Sequence, residues 1–194
     1  MTDAAVILVG YLLGSMPFGY WVVRLTKGVD VRTVGSGNIG ATNVWRAYGK
    51  GYGVPIVVLD VAKGLVPALA GSIVGGALVG VLAGSAAMLG HWRPLFLGFQ
   101  RGGKTVATAG GTLFGAAPVL GLIAVLVWLV VFLLCRYASV ASIVTAFAMP
   151  VAALLFGEDW PIVVFAAVAG VAVVVLHKAN ISRLRSGTES RFLR

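Results

Sequence analysis

The chain has 194 residues, 59% of them hydrophobic and 11% charged, and a formal net charge of +9. Soluble domains carry about 25% charged residues, so this balance excludes an ordinary soluble protein and points to an integral membrane protein. A single cysteine, Cys135, excludes an intramolecular disulfide and a cysteine-based metal site. With no charged tail or soluble domain to hold it, nucleic acid is excluded as a partner.

A helix needs about 20 apolar residues to cross the hydrocarbon core. In chain order, the first apolar run covers 4–23. It lacks a basic leading region, so it reads as a retained helix and not as a cleaved signal. Further runs follow at 54–73, 75–97, 105–117, 119–135, 138–156 and 161–177. The run at 105–117 is short, but joined to the next it would make one overlong span. "GAAP", from Gly115 to Pro118, is a natural break between them. Small residues recur every fourth position at Gly10 and Gly14, at Gly76, Gly80 and Gly84, and at Gly111 and Gly115. That spacing lets helix backbones approach closely in a bilayer.

Seven runs place Asp3, "SIVGG", "GAAP" and "GEDWP" on one side, which then holds no Lys or Arg. All 15 basic residues fall on or near the other side. By the positive-inside rule the N-terminus is outside and the C-terminus cytoplasmic. The expected fold is therefore an all-α polytopic membrane protein of seven transmembrane helices, one domain across 1–194.

Orientation needs only some of those cations, and the surplus coincides with three polar segments on the same side. They are "GSGNIGATNVWR" from Gly35, "GHWRPLFLGFQRGGKTVAT" from Gly90, and "HKANISRLRSGTE" from His177. Glycine-rich loops can turn successive N–H groups toward one anion. Ser36, Asn38, Thr42 and Asn43 add short donors, and Arg46 adds a planar fork suited to phosphate. Gly102 and Gly103 precede Lys104, just ahead of a predicted helix start, where unpaired N–H groups favour an anion. The expected phosphate-binding set is Gly35, Ser36, Gly37, Asn38, Gly40, Thr42, Asn43, Arg46, Gly102, Gly103, Lys104 and Asn180. Asp60 and Lys63, one helical turn apart inside a span, read as an ion pair. His91, three residues before Pro94, reads as structural. His177 reads equally as a helix cap and as a functional group, and Glu189 as a cap in the tail.

No His has an Asp five positions on, no GxSxG occurs, and nothing marks Cys135 as activated. Carboxylates are too sparse on this face to hold a catalytic metal. An enzyme here would need a substrate already activated and would act by positioning and electrostatics. A transporter of an organic phosphate or other anion is the alternative, although it would call for polar residues through the full bilayer depth.

"GSGNIGATNVWR", "LDVAKG", "GHWRPLF", "GGKTVAT" and "HKANISRLRSGTE" resemble, in order and over nearly the whole chain, the bacterial acyl-phosphate:glycerol-3-phosphate acyltransferases, the PlsY family. The resemblance implies a multi-pass protein of the cell inner membrane that works in phospholipid biosynthesis, with its active site facing the cytoplasm. It implies transfer of a fatty acyl group from acyl phosphate to the sn-1 hydroxyl of glycerol 3-phosphate, giving lysophosphatidic acid. Neither cofactor nor metal is expected. Acyl phosphate, glycerol 3-phosphate and membrane lipid are the expected partners, with the soluble enzyme that makes acyl phosphate as a fourth. The expected catalytic residues are Lys104, His177, Asn180, Ser36 and Arg46, supported by Asp60, Lys63, His91 and Glu189. The general base is expected to be a substrate phosphate, whose second pKa lies near about 6, with His177 as a phosphate donor and orienter. Two departures from the family's pattern fall in one loop: Thr105 where many members have Gly, and one extra residue between Phe99 and Gly102.

Overall fold

Among residues 2–192, which the computed structural model describes, every regular element is helical. Helix α1 (Asp3–Gly14) and α2 (Phe18–Lys27) form a first rod of 25 residues. Pro17 interrupts it, because proline has no N–H to continue the helical ladder. The break leaves the Met16 carbonyl within reach of a neighbouring helix, and Lys63 Nζ donates to it at 3.1 Å.

Short α3 (Ala41–Tyr48) leads into α4 (Lys50–Trp92). At 1.5 Å per residue, 43 helical residues would run about 65 Å, roughly twice the hydrocarbon core. Gly75 and Gly76 break the helix, with φ +73° at Gly76, a conformation open to glycine. The two halves fold back on each other at the "SIVGG" turn expected from the sequence. A Cβ added to Gly71 would stand 2.7 Å from the Val79 carbonyl oxygen.

The remaining helices are α5 (Val106–Ala116), α6 (Pro118–Cys135), α7 (Ala138–Leu155), α8 (Trp160–Leu176) and α9 (Lys178–Arg185). The run at 105–117 thus becomes 11 residues of helix, about 16 Å, too short to cross a core of about 30 Å alone. Instead α5 nests against both halves of α4. Side chains at Gly64 and Gly111 would strike the backbones of Thr108 and Val61, and one at Gly84 would strike the Thr112 side chain. By length and composition four stretches can cross a membrane, or five if α8 and α9 count as one bent by 56°.

An apolar core runs through Val81, Met88, Leu113, Leu120, Met149 and Phe165, joining α4 to α8. A second, smaller core of Val23, Val31, Ile39, Val44 and Ile56 underlies the first polar loop. Large apolar side chains remain on the outside, among them Leu134, Leu155 and Ile73 at 77% exposure or more. So much outward apolar surface suits lipid and not water.

Candidate active site

The three polar segments meet at one end of the bundle. Asn38 Nδ2 approaches the Gly102 carbonyl at 3.5 Å, and Lys104 Nζ donates to Asn180 Oδ1 at 2.6 Å. Between them lies a cavity of about 70 Å³, lined by Ser36, Gly37, Asn38, Arg101, Lys104, Ala179, Asn180 and Arg183. Three of its eight lining residues are cationic and none is acidic, so its chemistry suits an anion.

The cavity's donors differ from those expected. The N–H of Ser36 donates to Asn43 Oδ1, that of Gly37 to the Val34 carbonyl, and that of Gly40 to Asn38 Oδ1. Gly102 and Gly103 donate to the carbonyls of Trp92 and His91 at 2.9 and 3.0 Å. These five amides are spent inside the protein and are not available to an anion, so side chains supply much of what lines the cavity. The glycines serve fit instead. Gly35 has φ +57°, and Gly103 lies so close to the His91 ring that a Cβ would overlap it.

Asn43 is not free to bind phosphate either. Its Nδ2 donates to the carbonyls of Val34 and Asn38, each at 2.9 Å, and its Oδ1 takes the Ser36 amide. It is buried and pins the loop that presents Ser36. Thr42 lies in the first turn of α3, outside the cavity lining, as does Gly35. Arg46 stands at the side of the site, where it donates to the Ser190 carbonyl at 2.5 Å and lies over the Phe192 ring at 4.7 Å. Its charge still reaches Lys104.

Glu189, expected as a cap in the tail, is instead a hub of three hydrogen bonds. It is buried, and accepts from Asn180 Nδ2 at 2.6 Å, Ser139 Oγ at 2.8 Å and Arg183 Nε at 2.7 Å. Burial pushes its carboxyl pKa up, but these three hydrogen bonds outweigh burial and hold it below the ordinary carboxylate value. An ionised carboxylate only accepts, and an ammonium only donates. Asn180 therefore turns Nδ2 to Glu189 and Oδ1 to Lys104, and the amide orientation is fixed from both ends. Burial, with Arg183 nearby, lowers the Lys104 pKa to about 8. Arg101, Arg183 and Ser139 were missed from the sequence. Arg183 carried a signal, since it follows Asn180 by one helical turn.

His177 sits at the 56° bend between α8 and α9. Its Nδ1 lies 2.7 Å from the Val173 carbonyl oxygen, which can only accept, so the proton is on Nδ1. Burial lowers its pKa to about 4. Neutral and so oriented, it offers Nε2 as an acceptor. This corrects the expectation that His177 donates to phosphate. Asp60 and Lys63 form the expected ion pair, 2.8 Å apart and each 4% exposed. His91 Nδ1 lies 3.7 Å from Asp60 Oδ1, below the loop that carries Lys104. One family departure, Thr105, falls on strained backbone with φ +63°, and Phe99, which borders the other, has φ +59°.

Fold and site together define a multi-pass helical membrane protein with a cationic cavity at the helix ends. Residues 4–187 match the family described as glycerol-3-phosphate acyltransferase. Relatives bearing that name include one from Desulforudis audaxviator, 48% identical over 99% of this chain and 98% of its own length. Another, from Aquifex aeolicus, is 45% identical over 96% and 97%. Among solved structures, PlsY (YgiH), an integral membrane glycerol 3-phosphate acyltransferase, superposes in its glycerol 3-phosphate form with TM-score 0.94 at 44% identity. That match covers 98% of this chain and 96% of the other. Its lysophosphatidic acid form gives 0.91 at 42% identity, over 98% and 95%. The chain belongs to the glycerol-3-phosphate acyltransferase family.

Proposed function

We propose that this protein moves a fatty acyl group from acyl phosphate to the sn-1 hydroxyl of glycerol 3-phosphate, giving 1-acyl-glycerol 3-phosphate and inorganic phosphate. The observation that carries this reading is the small cationic cavity in which Lys104, held by Asn180, faces Ser36, Arg101 and Arg183. Both substrates carry phosphate, so a site free of carboxylate on its walls suits them. A larger groove of about 560 Å³ shares Arg101 and Ala179 with the cavity and reaches Val175, which is 64% exposed on the apolar surface. This groove gives the acyl chain a route to lipid.

In this reading the sn-1 oxygen attacks the acyl carbonyl carbon, and the bond from that carbon to the phosphate oxygen breaks. Acyl phosphate is a mixed anhydride, so its phosphate leaves readily. Lys104, Arg101 and Arg183 hold the phosphates, with Arg46 adding its charge from the side, and positioning and electrostatics supply most of the rate. The hydroxyl proton passes to a substrate phosphate. His177 Nε2 accepts from the hydroxyl and orients it, since a pKa of about 4 makes it a weak base. One catalytic domain over 1–194 would run as seven spans: the first rod, the two halves of α4, α5, which covers about half the core and is packed against both halves of α4, and α6 to α8. The N-terminus would lie outside, and the site would face the cytoplasm of the inner membrane. There it meets acyl phosphate from the soluble enzyme that makes it. The test is purified protein in detergent with acyl phosphate and labelled glycerol 3-phosphate. A labelled monoacyl product acylated at sn-1 supports the reading, and no acylated product overturns it.

A further inference from the structure

Beneath the loop that carries Lys104 lies a buried charged group that the proposed chemistry does not use. Asp60 pairs with Lys63 at 2.8 Å, and Lys63 also donates to the Met16 carbonyl where Pro17 breaks the first rod. His91, in the last turn of α4, has Nδ1 3.7 Å from Asp60 Oδ1. The far edge of its ring meets Gly103. A Cβ at that position would fall on Nε2, Cε1 and Cδ2 of His91. The backbone is tied to the same place, since the Gly103 amide donates to the His91 carbonyl at 3.0 Å. On the other side of Lys104, buried Thr105 has φ +63°, a conformation a β-branched residue keeps only where its surroundings enforce it. Lys104 is thus set between a glycine flattened on an imidazole and a strained threonine.

We infer that His91 is a positioning residue for Lys104: its ring, backed by Asp60 and Lys63, is the surface on which the Gly102–Gly103 backbone is laid and from which the ammonium is aimed. The inference rests on the role proposed for Lys104, but it is tested separately. Lys104→Ala tests that role; the contact between ring and glycine is tested by a double-mutant cycle. A side chain that only fills space would leave the titration of Lys104 alone, whereas a positioning residue sets how far water reaches it.

The experiment measures kcat/KM for glycerol 3-phosphate against pH in wild type, Gly103→Ala, His91→Ala and the double variant. Gly103→Ala is expected to lose about 10²-fold and His91→Ala about tenfold. The double variant should be at least about tenfold better than the product of the two losses, because removing the ring makes room for the methyl group. In His91→Ala the alkaline limb should move up from about 8 toward the ordinary lysine range as water reaches the ammonium. His91→Phe, which keeps a flat ring, should leave that limb in place and guards against a poorly folded alanine variant. Losses that simply multiply, or an alkaline limb unmoved in His91→Ala, would overturn the inference.

Discussion

Lys104 Nζ and Asn180 Oδ1 lie 2.6 Å apart, although 76 residues separate them in the chain. The contact joins the loop ahead of α5 to the first turn of α9, and through Asn180 it connects Lys104 to the buried carboxylate of Glu189. Lys104 lines the cavity and is held there by an oriented partner. Lys104→Ala should therefore cost about 10²–10³ in kcat/KM, or roughly 2–4 kcal/mol of transition-state stabilisation. Steady-state rates on folded, detergent-purified protein check this, and near-normal rates would remove Lys104 from the reaction.

Arg46→Ala should lose a comparable factor, and Arg46→Lys should restore little of it. A lysine is a point charge and cannot replace the planar guanidinium that donates to the Ser190 carbonyl and lies over the Phe192 ring. Recovery to wild-type rates in the lysine variant would show that only charge matters there.

The pH profile of kcat/KM separates the groups, because it reports the free enzyme and free substrate. Lys104, with a pKa of about 8, is charged below that pH and neutral above it, so activity should fall as pH rises through about 8. On the acid side, a substrate phosphate acting as base loses its second negative charge near about 6. A catalytic His177 would instead place the limb near about 4. The expected limb is near 6, and His177→Gln should keep more than about a tenth of the rate without moving it.

Glu189→Gln should loosen the tail and misorient Asn180. The amide brings a donor to a place where Asn180, Ser139 and Arg183 all donate. A loss of about 1–3 kcal/mol of stability is expected from unpaired buried groups. The native carboxylate has a lowered pKa, so its contribution is present above the unfolded value and lost as pH falls through the folded one. Thermal unfolding of wild type from pH 7 down to 3 should show that loss, and Glu189→Gln should be flatter over the same range.

Asp60→Asn or Lys63→Met alone should destabilise by about 3–5 kcal/mol, because each leaves the other charge buried without a partner. The double variant should recover much of this, measured by thermal unfolding in detergent. Two single losses that add in the double would show that the pair is not coupled.

Much of this arrangement is legible in the residues. Apolar runs mark the helices, the "SIVGG" turn falls at Gly75–Gly76, and the three polar segments do converge. What periodicity could not show was the direction of each amide. A glycine-rich loop reads the same whether its N–H groups face an anion or its own carbonyls, and Asn43 looks alike as ligand and as pin. Only tertiary contact reveals that Glu189 is buried against α7 or that Arg183 lines the cavity. The length of α5 was also hidden, because 105–117 is apolar enough to span yet is held short by "GAAP" at one end and the Lys104 loop at the other.

The identity of the acyl donor decides whether this protein catalyses the proposed transfer. Purified protein should be given glycerol 3-phosphate with acyl phosphate, acyl-CoA or acyl carrier protein in parallel, and both inorganic phosphate and acylated product should be measured. Product is expected with acyl phosphate alone, with one phosphate released per acyl transferred. Equal or faster acylation from acyl-CoA, or phosphate release without acylated product, would contradict this expectation.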